Sequence, residues 1–391
     1  MKNYLSLFLI LSVFGCTRQN ELSKENIAYS PKCEKIDFSD YLKLGSQPVI
    51  YNYVDSVILI PLETKDESVL SDIRRIKVTD SYIYVLDGYR NGSLAIFDRQ
   101  GHYVKRLPIG GGPQELNTPM SFVFNEQKKE LWVHQPNYIK KYTENGDFIS
   151  EHLVSFAVAS LEINNDELLV GQVIINDPSS SYLIARFDSC FNLIGYHMLP
   201  NERLFTAGNR FARRTDGSVC FHRDLDNNIY SLADDTIFID RTFSDQDIFI
   251  DDQGLHSVLD YDYYHSMERE GKVAFVGFCE TDNYEKYHFS AIDQIHLYRN
   301  KRTGLIIGED RQSDWDISIV DSPSIYRGSY KNFFVAQLSY IYLNGPKGAE
   351  NLYLTLEANK KILSPEQMEM LKNLTDETNP IIMLYSLKDP E

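Results

Sequence analysis

Ser93-Leu94-Ala95-Ile96-Phe97-Asp98-Arg99-Gln100-Gly101-His102-Tyr103-Val104 reads as an alternating strand, a polar turn and a second strand, the grammar of a β-hairpin. The same pattern returns at 138–149, 183–194 and 228–239. The last apolar residue before each turn is Phe97, Tyr142, Phe187 and Leu232, at a constant step of 45 residues. Propeller blades repeat at about 40–50 residues. A fifth copy at 295–306 carries Tyr298 in that place, 66 residues after Leu232, so 21 residues are inserted before it. A sixth half-copy is Ile381-Ile-Met-Leu-Tyr385-Ser-Leu387.

Upstream of the hairpins lie short apolar strands at 83–87, 131–135, 168–172, 219–223, 273–278 and 333–337, read as second strands. Innermost strands such as 73–78 and 121–124 precede them. Four strands in each of six units predict an all-β, six-bladed β-propeller of four-stranded blades. The last blade has three strands of its own. The orphan Val57-Ile-Leu-Ile-Pro-Leu62 would supply its outermost strand and close the ring, removing an edge open to aggregation. Between 346 and 379 the strand grammar breaks. Ser364-Pro365-Glu366-Gln367 opens a capped short helix there, a helical insertion within blade six.

The N-terminus carries a different signal. Lys2 precedes the apolar run 4–15, too short to span a bilayer but suited to a secretory signal. The run ends in Val13-Phe14-Gly15-Cys16, which resembles the lipobox of bacterial lipoproteins, with Phe14 where a small residue is commoner. That resemblance implies cleavage before Cys16 and lipid on its thiol and amine; an ordinary signal peptide with an incidental Cys is the alternative. The chain thus divides into a signal peptide (1–15), a lipidated Cys and polar tether (16–53), and the propeller (54–391).

Lipobox and tether are followed by Val-Ile-Leu-Ile-Pro-Leu-Glu-Thr (57–64), Tyr-Ile-Tyr-Val-Leu-Asp (82–87), Ala-Ile-Phe-Asp-Arg-Gln-Gly (95–101) and Ile-Gly-Gly-Gly-Pro-Gln-Glu (109–115). Together these resemble the six-bladed β-propeller lipoproteins of Bacteroidetes, similar to NHL-repeat propellers and mostly of unknown function. Gln114 replaces one Gly of the family's turn. The resemblance implies export and a lipid anchor at the cell envelope, on the outer membrane. It carries no catalytic signature, so it leaves function open.

Composition narrows the classes. The 391 residues carry 39 Lys+Arg against 56 Asp+Glu, a net charge of −17, which argues against nucleic acid as a partner. The chain is 43% hydrophobic with 26 Tyr, 21 Phe and 2 Trp, enough for a large β core. No Gly-x-Ser-x-Gly, His-Glu-x-x-His or paired-Cys motif occurs, and nothing calls for a cofactor or a metal. Gly110–Glu115 lacks a following Lys-Ser/Thr and reads as a tight connection between blades. Asp224, Asp226 and Asn228 imitate the start of a Ca²⁺ loop but lack its Gly and bidentate Glu, and read as a turn. Asp245, Asp247, Asp251 and Asp252 read as a solvated acidic loop.

Several residues remain as ligand-binding candidates. Asp87, Gln135, Gln172, Arg223 and Gln337 share one register after the second strands, as a polar rim around a funnel or as the first residues of polar turns; Phe278 breaks the series. Tyr261, Tyr264 and His265 lie in the insertion before blade five, suited either to contact surfaces or to packing on the propeller. Arg213 would attract an anionic ligand, a uronate or carboxylate, if it faces the channel, and would be a structural ion pair if it faces the next blade. Strand parity puts Arg213 and Arg214 on opposite faces. Cys33, Cys190, Cys220 and Cys279 have no metal-ligand spacing, and their pairing stays open. The leading expectation is a non-catalytic binding module for an envelope protein or carbohydrate. The alternatives are a carbohydrate-active lyase or hydrolase using His134, Arg223 and Tyr264 in the funnel, and a structural subunit of an envelope complex.

Overall fold

The computed structural model describes residues 27–44, 50–88, 92–154, 158–164, 167–173, 184–197, 211–223, 226–233, 236–244, 246–250, 261–290, 294–308, 328–340, 343 and 349–389. The signal peptide and Cys16 lie outside them.

Six antiparallel sheets form the ring. Blade one is β3 (Ile73–Val78), β4 (Tyr82–Asp87), β5 (Ser93–Asp98) and β6 (Tyr103–Arg106). Blade two is β7 (Ser121–Asn125), β8 (Glu130–Gln135), β9 (Tyr138–Thr143) and β10 (Phe148–Leu153). Blade three is β11 (Val158–Asn164), β12 (Glu167–Val173), β13 (Ile184–Phe187) and β14 (Leu193–His197). Blade four is β15 (Phe211–Arg213), β16 (Val219–Phe221), β17 (Asn228–Ala233) and β18 (Thr236–Phe243). Blade five is β19 (Ala274–Glu280), β20 (Tyr284–Ser290), β21 (Gln294–Asn300) and β22 (Ile306–Gly308). Blade six is β23 (Gly328–Tyr330), β24 (Phe333–Leu338), β25 (Ile381–Leu387) and, as its outermost strand, β2 (Val54–Pro61). The antiparallel pairing of β2 with β25 closes the ring as the orphan strand predicts.

Two features differ from the sequence expectation. Residues 273–278 supply the innermost strand of blade five, because a further strand, Tyr284–Ser290, follows them before the hairpin. The second strand of blade five therefore ends in Ser290, and Phe278 never belonged to the polar series. The supposed tether also contains structure. β1 (Ile27–Ile36) runs parallel to β18 as a fifth strand on blade four. The backbone of β18 offers an unpaired edge, and a polar segment can satisfy it without an apolar face of its own.

A short helix, α1 (Ser39–Leu44), and a 3₁₀ turn at Ile50–Asn52 lead from β1 to β2. Phe38 is fully buried against Phe243, Tyr287 and Phe289, with centroids 5.4, 4.9 and 5.3 Å away. Ile50 packs into the seam between blades five and six. The described residues 27–44 and 50–61 thus form a belt along blades four to six.

The core is divided among the six seams between neighbouring blades, each holding its own apolar cluster. The middle strands of the sheets are buried on both faces, as β4, β5, β8 and β25 show, and read as nearly continuous apolar runs. α2 (Tyr261–Arg269) stands between β18 and β19; α3 (Ala349–Asn359) and α4 (Pro365–Lys372) form the insertion in blade six. α4 has the expected start: Ser364 caps it, Gln367 completes the capping box and Pro365 opens the first turn. The Gln367 side chain also donates to the Val57 carbonyl at 2.7 Å, pinning the insertion to the closing strand.

Candidate functional site

The innermost strands β3, β7, β11, β15, β19 and β23 surround the axis. Near it stands a charged cluster drawn from four blades. Arg75 of β3 donates to Ser121 Oγ of blade two at 3.1 Å and to the Leu161 carbonyl of blade three at 3.2 Å. Glu162 of β11 pairs with Arg213 of blade four at 3.0 Å and lies 3.9 Å from Arg75. Arg213 also donates to the Ile163 carbonyl. Lys77 reaches Glu126 of blade two at 3.7 Å. Strand alternation explains the grouping: Ile76 and Val78 enter the seam with blade six, so Arg75 and Lys77 take the other face.

Burial disfavours the charged forms of Arg75 and Lys77 and pulls both below their ordinary values. The same burial would raise Glu162, but Arg213, Lys77 and Arg75 outweigh it and hold the carboxyl below its usual range. One carboxylate thus balances two arginines. Arg213 is a cross-blade ion pair, joined to Glu162 of the neighbouring blade. Arg214 pairs instead with Asp240 at 2.8 Å, as the parity of the strand requires.

The five residues of the polar register have diverse surroundings. Asp87 is buried, and its Oδ1 accepts from the backbone N–H groups of Ser71 and Asp72 at 2.9 and 2.7 Å. Gln135, also buried, accepts from Asn117 N–H at 2.8 Å through Oε1. Each holds the connection entering its own blade. Arg223 pairs with Asp226 at 3.0 Å, while Gln337 is buried in β24. The side chains of Gln172, Tyr261 and Tyr264 are outside the described residues; their backbones belong to β12 and α2. His265 is exposed on α2 and contacts Glu268 at 2.9 Å; Glu268 in turn accepts from Ser290 Oγ at 3.3 Å. His134, one of the residues considered for a lyase, is wholly buried in β8. Arg75, Lys77 and Glu162 escape the sequence reading because they match no motif. Their signal is a run of alternate charged positions on innermost strands, 75 and 77 on one and 162 on another.

The glycine loop 110–115 turns one amide inward, Gly112 N–H donating to the Glu115 carboxylate at 2.8 Å, and its carbonyls to an ammonium. Lys140 donates to the carbonyls of Gly112, Pro113 and Glu115 at 3.1, 2.9 and 2.6 Å and pairs with Glu151 at 2.9 Å. That arrangement binds the connection between blades one and two to the Lys140 ammonium. All four described cysteines are free thiols. Burial pushes Cys220 up to about 12, which makes it an inert core group. Among the described residues, no three His, Cys, Asp or Glu side chains form a set that could hold a metal ion.

The connections divide the ring into two sides. Every turn between first and second or third and fourth strands is five residues or fewer. Every longer connection joins a second strand to a third, or one blade to the next, and these carry α2, α3 and α4. The first may be called the turn side and the second the loop side.

Residues 33–386 match the family described as Domain of unknown function (DUF4934), and the chain belongs to it. No curated protein matches the sequence. The fold is similar to that of a "Putative exported protein" from Bacteroides fragilis NCTC 9343, with TM-score 0.70 at 16% identity over 93% of this chain and 99% of that one. A more distant likeness is to a catalytically inactive virginiamycin B lyase from Staphylococcus aureus with quinupristin, with TM-score 0.42 and 12% identity over 71% of this chain and 82% of that one. A protein of unknown function from Bacteroides caccae gives TM-score 0.39 and 8% identity over 62% and 83%.

Proposed function

We propose that this is an exported, lipid-anchored propeller of the outer membrane that binds an envelope protein or carbohydrate on its loop side without transforming it. The observation that carries the reading is the one-sided placement of every long connection. In a ring built from repeats, insertions collect on the face that meets partners, while the opposite face keeps minimal turns. Export is supported by the apolar segment 4–15 and by the name of the Bacteroides fragilis protein of like fold.

A photo-crosslinking amino acid placed at exposed His265 on the loop side, and separately at exposed Gln127 on the turn side, tests it in producing cells. Adducts from position 265 and not from 127 are expected. Equal adducts from both would overturn the loop-side assignment. Release of unsaturated uronate from polygalacturonate by the purified protein would overturn the non-catalytic reading and favour a lyase. Metabolic labelling with an alkyne fatty acid that tags wild type but not Cys16→Ser tests the anchor.

A further inference from the structure

Resting on the lipid-anchor reading, we propose that the edge of blade four formed by β1 is the surface that faces the bilayer, with the flank of blade one held farthest from it. Two observations carry this. The first is length. A tether running to residue 53 would let the propeller roam, but β1 begins at Ile27, so only residues 17–26 separate Cys16 from the folded ring. Eleven peptide steps span at most about 40 Å fully extended. A body of this size is about 50 Å across. The attachment point is therefore closer to the membrane than the ring is wide.

The second is the chemistry of that edge. Tyr29 is 68% exposed, and Lys32 and Lys35 are exposed on the same strand, in a protein of net charge −17. Tyr suits the headgroup level and Lys suits anionic lipid phosphates. Phe38 and Glu34 fix the strand in place, because Phe38 is sunk in the seam between blades four and five and Glu34 pairs with Arg299 at 2.9 Å. The strand that faces the bilayer is thus rigidly part of the propeller.

The test uses full-length lipidated protein in vesicles of phosphatidylethanolamine and phosphatidylglycerol carrying a headgroup quencher. A fluorescent amino acid is placed at exposed Ala233, the last residue of β17, near the Ile27 end of β1, or at exposed Val104 on β6 of blade one. Quenching at 233 at least twofold above that at 104 is expected. Equal quenching, or stronger quenching at 104, would overturn the proposal. Inserting twenty Gly/Ser residues after Asn20, outside the described fold, should erase the difference; its persistence would show that length does not set the orientation and would sink that half of the argument. Replacing Tyr29 with Ser and both lysines with Glu should weaken quenching at 233 with the tether unchanged. Vesicle binding by Cys16→Ser equal to wild type would refute the anchor itself, an outcome distinct from failure of the orientation.

Discussion

The seam between blades one and two and the seam between blades four and five solve the same packing problem with different material. The first is filled by its own two sheets: Tyr84, Leu86, Leu94 and Ile96 meet Phe122, Phe124, Leu131, Val133 and Tyr142. The second admits Ile36, Phe38 and Leu42 from the belt. It also buries an ion network in which Glu285 accepts from Arg241 at 2.9 Å and Arg299 at 2.8 Å, with the Tyr287 hydroxyl donating at 2.8 Å. Blades one to four follow the 45-residue step, and the step lengthens before blade five. The first seam, where the repeat is regular, takes nothing from the belt. Where the repeat lapses, a distant segment of chain completes the packing.

Breaking the second seam should cost most. Glu285→Ala leaves Arg241 and Arg299 to share the half-exposed Glu34 carboxylate and should destabilise by about 3–5 kcal/mol in urea titration. Phe38→Ala should cost about 3–5 kcal/mol, at least as much as Leu94→Ala in the first seam. A smaller loss than Leu94→Ala would mean that the belt is a passive cover. Acid should separate the seams next. Burial would raise Glu285, but Arg241 and Arg299 hold its carboxyl below the ordinary 4.5. The unfolded chain then takes up the proton first. The contribution is full above that ordinary value and is lost as pH falls through the lower folded one. Glu285→Gln should flatten this acid slope, whereas Leu94→Ala should leave it unchanged. Asp87→Ala, beside the first seam, frees two loop amides and should cost about 1–3 kcal/mol. Glu34→Gln should change least, below about 1 kcal/mol, because that carboxylate is half exposed.

The ring was legible because its evidence is periodic: alternation within each strand, a constant step between hairpins, and an orphan strand where one was needed. The capped helix at 365–372 was legible for a local reason, since Ser364, Pro365 and Gln367 each satisfy a helix end. β1 was not, because Pro31, Lys32, Glu34 and Lys35 give it no apolar stripe and its register is written in the edge of β18. The polar register at the ends of the second strands was half legible. Its register was visible, but the engagement of Asp87 and Gln135 with incoming loop amides depends on chain 15 to 18 residues away. Arg213 stood out with its neighbour Arg214 as basic residues in an acidic chain, while Glu162, its ion-pair partner, lies 51 residues earlier.

The closing strand has a consequence for the order of events in a cell. β2 and β25 meet across a separation of about 330 residues, as the Ser56–Ser386 hydroxyl contact at 2.8 Å marks. Contacts so distant in sequence form late, since the intervening chain must first be gathered. During synthesis blade six lacks a partner for β2 until the far end of the polypeptide has emerged. Until then the blades form an open series, and the ring closes into a circle only when its last strand is available.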